Sequence, residues 1–145
     1  MSDYGRRIVL DQKLDAVVDA LKAAIRAEGL TPLGEIDVRE HFARHLSHDF
    51  RRYALVQAWS AQLAMEALRH SPDAGTQLLA MFAVYELGDG ESVVVANPPF
   101  AGLTEDYQWR KDFPALASIA DREIEKLARI VDRIAFVTVE QTGAA

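Results

Sequence analysis

The stretch from Leu14 to Ile25 places Leu14, Val17, Val18, Leu21 and Ile25 at successive intervals of 3, 1, 3 and 4 residues. That spacing gathers them into one stripe of a helix with 3.6 residues per turn. Asp11 is positioned to cap its start. Gly29 is positioned to cap its end, because glycine takes the left-handed conformation without a Cβ clash. Before this helix, RRIVL (Arg6 to Leu10) reads as a short strand. After a TPLG turn, EIDV alternates polar and apolar residues as a half-buried second strand does.

Asp37, with Glu40 three residues on, forms a capping-box pattern that opens a short helix. YALVQAW (Tyr53 to Trp59) is a third strand. Ser60 caps the helix after it, which carries Leu63, Ala64, Ala67 and Leu68 and ends before Pro72. LLAMFAVYEL and ESVVVAN flank GDG and give the clearest hairpin signal in the chain. Asn97 to Asp112 is a long, poorly periodic connection. A last helix starts near Pro114 and aligns Leu116, Ile119, Leu127, Ile130, Val131 and Ile134 on one face. Two β-α-β units thus follow one another, Arg6–Val38 and Tyr53–Leu87, before the C-terminal helix. A hairpin among so few strands predicts an α+β fold: a two-layer sandwich of a mostly antiparallel sheet with helices.

Length and composition fit this picture. A chain of 145 residues, 50% hydrophobic and 26% charged, is expected to form a single domain over 1–145 that folds without metal or disulfide support. The absence of cysteine excludes disulfides, zinc–thiolate sites, iron–sulfur clusters and thiol nucleophiles. No stretch reaches the roughly 18 apolar residues of a membrane span, and the N-terminus has no signal-peptide core. The expected location is therefore cytoplasmic, with no membrane partner. A net charge of −6 gives no broad attraction to phosphate backbones. Arg51 and Arg52 beside Tyr53 and Trp59 read as charges at the edge of a strand, so no nucleic-acid partner is expected.

REHFARHLSH (Arg39 to His48) holds three of the four histidines. At about 100° per residue, His41 and His45 lie about 40° apart on a helix, close enough to share one metal ion. His48 would fall about 10.5 Å further along the axis than His41. Metal–imidazole bonds are about 2.1 Å long, so three histidines of one straight helix cannot hold one ion. The pair His41 and His45 needs ligands from elsewhere. As a haem ligand His45 is the first choice, because it lies nearest the apolar stripe of Val38, Phe42 and Leu46. A solvated or boundary helix face accounts for the same residues without any ligand.

Other candidate chemistry is thin. Ser47, His48 and Asp49 spell a triad in letters only, since consecutive side chains diverge. GDG lacks a phosphate-binding context and reads as a turn. Asp121, Arg122, Glu125, Lys126, Arg129, Asp132 and Arg133 form a solvated ladder on the last helix. Asp37 is a candidate site residue, though capping already explains it.

The order of these pieces resembles the domain of unknown function 302, an uncharacterised bacterial and archaeal family. The resemblance is carried by AEGLTPLGEIDVREHFARHLSHDFRRYALV, then LAMEAL, then FAVYELGDGESVVVANP. It covers a core of about residues 6–100, and a C-terminal helix at about 113–136 also fits. The resemblance implies a compact α+β domain that pairs as a homodimer, and no established reaction. It also implies a Cys-Asn-Pro step at Trp59, Ser60 and Ala61 and a Pro-Cys step at Ala80 and Met81. This chain departs from the pattern at both places, so no thiol-based role carries over.

The expectation is therefore a homodimeric, non-enzymatic domain that binds a small apolar ligand or a protein partner. Trp59, Met81, Tyr53 and Asp37 are its candidate ligand residues. The alternatives are a haem or metal protein using His45 or His41, with no cofactor as the default, and an enzyme of unknown reaction.

Overall fold

Tyr53–Trp59 alternates half-buried and buried side chains along its whole length, the signature of a strand with two unlike faces. In the computed structural model, which describes residues 4–88 and 90–143 and side-chain surroundings as far as residue 135, this segment is β3 of a five-stranded sheet. The others are β1 (Arg6–Leu10), β2 (Thr31–Asp37), β4 (Ala80–Gly88) and β5 (Glu91–Asn97). Their order is β1-β5-β4-β3-β2, with every neighbouring pair antiparallel. The helices are α1 (Leu14–Ala27), α2 (Val38–Leu46), α3 (Ala61–His70), α4 (Tyr107–Asp112) and α5 (Pro114–Gly143), with a 3-10 turn at Pro72–Gln77. The architecture is the α+β sandwich expected from the pattern.

The connections are less regular than two like β-α-β units. The first links β1 to β2, which lie at opposite edges of the sheet. The second links β3 to β4, which are antiparallel neighbours. The turn expected at TPLG is strand: β2 already pairs with β3 at Thr31, Pro32 and Gly34 keep partners in β3, and the bulge between them accommodates Leu33. Helix α1 starts after Lys13, which makes no side-chain cap, rather than after Asp11. Gly29 follows its end at φ +79°, with Leu30 N–H donating back to the Ile25 carbonyl. The long connection contains α4, whose cap Asp106 accepts from the Trp109 amide at 2.9 Å. Asp89, of the predicted turn, lies outside the described residues.

One sheet face meets α1 and α5. Ala54, Val56 and Ala58 of β3, Phe82 and Val84 of β4, and Val94 and Ala96 of β5 pack with Val17, Leu21 and Ile25 of α1. Leu127, Ile130 and Ile134 of α5 complete this cluster. Each large side chain so buried contributes roughly 1.5–3 kcal/mol. A second cluster joins Leu63, Ala64 and Ala67 of α3 to Phe100 and to Leu116, Ile119 and Ala120 of α5. Phe100 holds φ +61°, a conformation disfavoured for side chains with a Cβ. Its amide donates to the Gln77 carbonyl at 3.0 Å and its ring packs on Trp109, which together hold it there. Just before β1, a Cβ on Gly5 would stand 2.3 Å from the Ala96 carbonyl oxygen, so only glycine lets the chain approach β5 so closely.

Candidate functional site

Alternation sends the remaining strand residues to the other face of the sheet, away from α1 and α5. Register arranges them in three rows. Ile36, Leu55, Ala83, Val95 and Arg7 cross all five strands. Tyr53, Tyr85, Val93 and Val9 form a second row. Gln57, Met81 and Asn97 form the third. Antiparallel sheets with one solvated face normally place polar side chains there. Here the two longer rows are apolar or aromatic except for Arg7. Val9 and Ile36 are exposed, Leu55, Ala83 and Val95 half-buried, and Val93 buried.

An aromatic ladder closes one end of this face. Tyr53 and Tyr85 stack at 5.4 Å with an interplanar angle of 12°. The Arg51 guanidinium lies 5.8 Å from the Tyr85 ring and 6.0 Å from that of Phe50. Phe50 in turn meets Phe42 of α2 edge-on at 5.3 Å. Two clefts flank the ladder and share Arg39 and Arg52. One, of about 350 Å³, also touches Phe50, Arg51 and Glu86. The other, of about 170 Å³, is walled by Asp37, Tyr53 and Glu35. Most of their charges are already paired. Arg52 holds Asp15 at 2.6 Å and lies 3.7 Å from Glu86, while Arg39 holds Asp49 at 3.2 Å. The hydrogen bond from Arg52 keeps the Asp15 carboxyl below its ordinary range.

The four candidate ligand residues do not converge on one point. Asp37 and Tyr53 share the smaller cleft. Trp59 and Met81 sit on neighbouring strands near the opposite end, as diagonal neighbours by register, with Met81 facing Gln57 and Asn97. Trp59 also packs against the second hydrophobic cluster, as a large aromatic filling space does. Asp37 caps α2, accepting from the Glu40 amide at 3.1 Å. Asp37→Ala should therefore lower stability by about 1 kcal/mol in urea denaturation, and Asp37→Asn by only a few tenths, because asparagine also caps.

The histidine run needs one correction. Helix α2 buries none of its residues, and Leu46 of its apolar stripe is 68% exposed. The reason for ranking His45 above His41 as a haem ligand therefore falls away. Both are exposed, with ring centroids 5.7 Å apart. His48 lies beyond the C-cap Ser47, whose left-handed backbone ends the helix. Among the described residues no group of three or more His, Asp or Glu is arranged to hold a metal ion.

Glu123 was not singled out by its sequence context. It is 3% exposed on α5, between Ala120 of one cluster and Leu127 of the other, and its Oε2 has no hydrogen-bond partner among the described residues. Burial pushes its carboxyl up to about 7, with Lys126 and Arg122 partly opposing the rise. The signal was available. Glu123 stands four residues after Ile119 and four before Leu127, in register with the buried stripe.

Among the described residues no helix is long and apolar enough to cross a membrane. No curated protein matches the chain. A crystal structure of an uncharacterized conserved protein DUF302 from Bacillus stearothermophilus is similar in fold, with a TM-score of 0.73 at 20% identity. The likeness covers 92% of this chain and 99% of that one. The sequence profile of the family described as Domain of unknown function DUF302 matches residues 7–134, from the first strand into α5, and the chain belongs to that family.

Proposed function

We propose that this domain works by association rather than catalysis, as a homodimer that shares the apolar face of its sheet. The observation that supports the reading is the row of Ile36, Leu55, Ala83 and Val95, which crosses four strands without a polar residue on the face opposite α1 and α5. Two such sheets packed face to face would interdigitate these side chains into a core about 10 Å thick. A two-fold pairing asks only that a surface complement itself. An apolar centre with its cations, Arg7 and Arg51, towards the rim meets that condition. The homodimer implied by the family resemblance agrees with it. Hydroxyl-radical footprinting tests the location: Met81, Leu55 and Tyr85 should become protected as concentration rises, while Met65 on α3 should not. Equal labelling of these positions at all concentrations would count against the shared face.

A second reading rests on a separate groove of about 260 Å³. Ala96, Pro98, Ala101, Ile124 and Leu127 line it, with Arg6, Asn97, Thr104 and Glu105 as its polar side. This mostly apolar lining suits a small apolar ligand, although the groove is slightly below the roughly 300 Å³ of common ligand sites. A native mass spectrum of the purified chain separates the readings, because a bound ligand adds its own mass whereas self-association doubles the chain's.

A further inference from the structure

Helix α2 buries no residue, yet both of its ends are fastened. Asp37 caps the start, and at the other end the His48 amide donates to the Phe42 carbonyl at 3.2 Å. Arg44 and Glu40 pair along its surface, and Phe42 is anchored against Phe50. The fastened helix holds His41 and His45 one turn apart, both exposed, with rings only 19° from parallel. We propose that this pair is a two-imidazole chelate for a divalent transition-metal ion of the copper, nickel or zinc class, with water completing the coordination.

Histidines at i and i+4 on one helix face can donate two nitrogens to a single ion, as they do in helical zinc motifs. Imidazole suits zinc, copper and nickel, whereas calcium and magnesium prefer oxygen. The neighbouring cations are compensated: Arg44 by Glu40 and Arg39 by Asp49. Neither guanidinium therefore opposes an incoming ion with an unpaired charge. Because the helix ends at Ser47, His48 is not part of the pair, and the protein supplies two ligands only. Such a site exchanges its metal readily and responds to local concentration. Binding would also tie successive turns of an exposed helix together and so stabilise the folded chain by linkage.

The test is calorimetric titration of the untagged full chain with Ni²⁺ and with Zn²⁺. The expected result is saturable binding of one ion per chain, lost in His41→Ala and in His45→Ala, and retained in His48→Ala and His70→Ala. Far-UV circular dichroism of each variant shows that the fold persists, and His41→Gln gives a second, polar replacement that should also lose binding. Stoichiometric binding that survives in the His41→Ala/His45→Ala double variant would overturn the proposal. So would the absence of saturable binding by the folded, unsubstituted chain.

Discussion

At pH 8, Glu123→Gln is expected to unfold with a free energy roughly 2–3 kcal/mol higher than the unsubstituted chain, and at pH 4 the two should differ little. The Glu123 carboxyl is buried, and its Oε2 is unpartnered. The cations near it are committed elsewhere: Lys126 donates to the Glu28 carbonyl at 3.1 Å, and Arg122 pairs with Glu66 at 3.4 Å. Burial therefore dominates, and the carboxyl titrates at about 7 in the folded chain against an ordinary 4.5. Between those values the folded chain keeps a proton that the unfolded chain releases. Stability accordingly falls as pH rises through this window, by roughly 3 kcal/mol in all. Glutamine keeps the shape and stays neutral, so its difference from the unsubstituted chain should open across the same window. Urea denaturation at the two pH values measures it. A difference that does not change with pH would show that Glu123 is not a buried, ionising group.

Leu55→Arg and Val95→Arg should each weaken self-association by about a hundredfold or more while leaving the monomer folded. Both residues lie in the central row of the open face, paired through Ala83. In a single chain a long arginine there can reach solvent with its guanidinium. In a dimer it would be desolvated among apolar side chains with no carboxylate opposite, which is costly. Sedimentation equilibrium reads the loss, and circular dichroism confirms the fold. Thr104→Arg, on the 260 Å³ groove rather than the sheet face, is the control that should leave association unchanged.

Local chemistry made much of this fold legible. Ser60 and Asp37 were expected to cap helices, and both accept from the amide three residues on. The hairpin between β4 and β5 followed from its flanking apolar runs. Misreadings arose where tertiary pairing overrode a local signal, as at Pro32 and Gly34, which mark turns in isolation but occupy a bulged edge strand here. The stripe of Val38, Phe42 and Leu46 shows the reverse error: its periodicity predicted a helix correctly, but periodicity does not say whether anything covers the apolar side. The open face was readable in part. YALVQAW and MFAVY are apolar at both alternations, as expected of strands covered on both sides, whereas among the described residues α1 and α5 cover one face. Whether Trp59, Met81, Tyr53 and Asp37 lie close together depended on register, which no local pattern contains.

The mass in solution bears most directly on the account. Light scattering of the untagged chain at micromolar concentration should give twice the 16.1 kDa chain mass and fall towards 16.1 kDa on dilution or with Leu55→Arg. A mass of 16.1 kDa at every concentration would contradict the proposed role of the open sheet face.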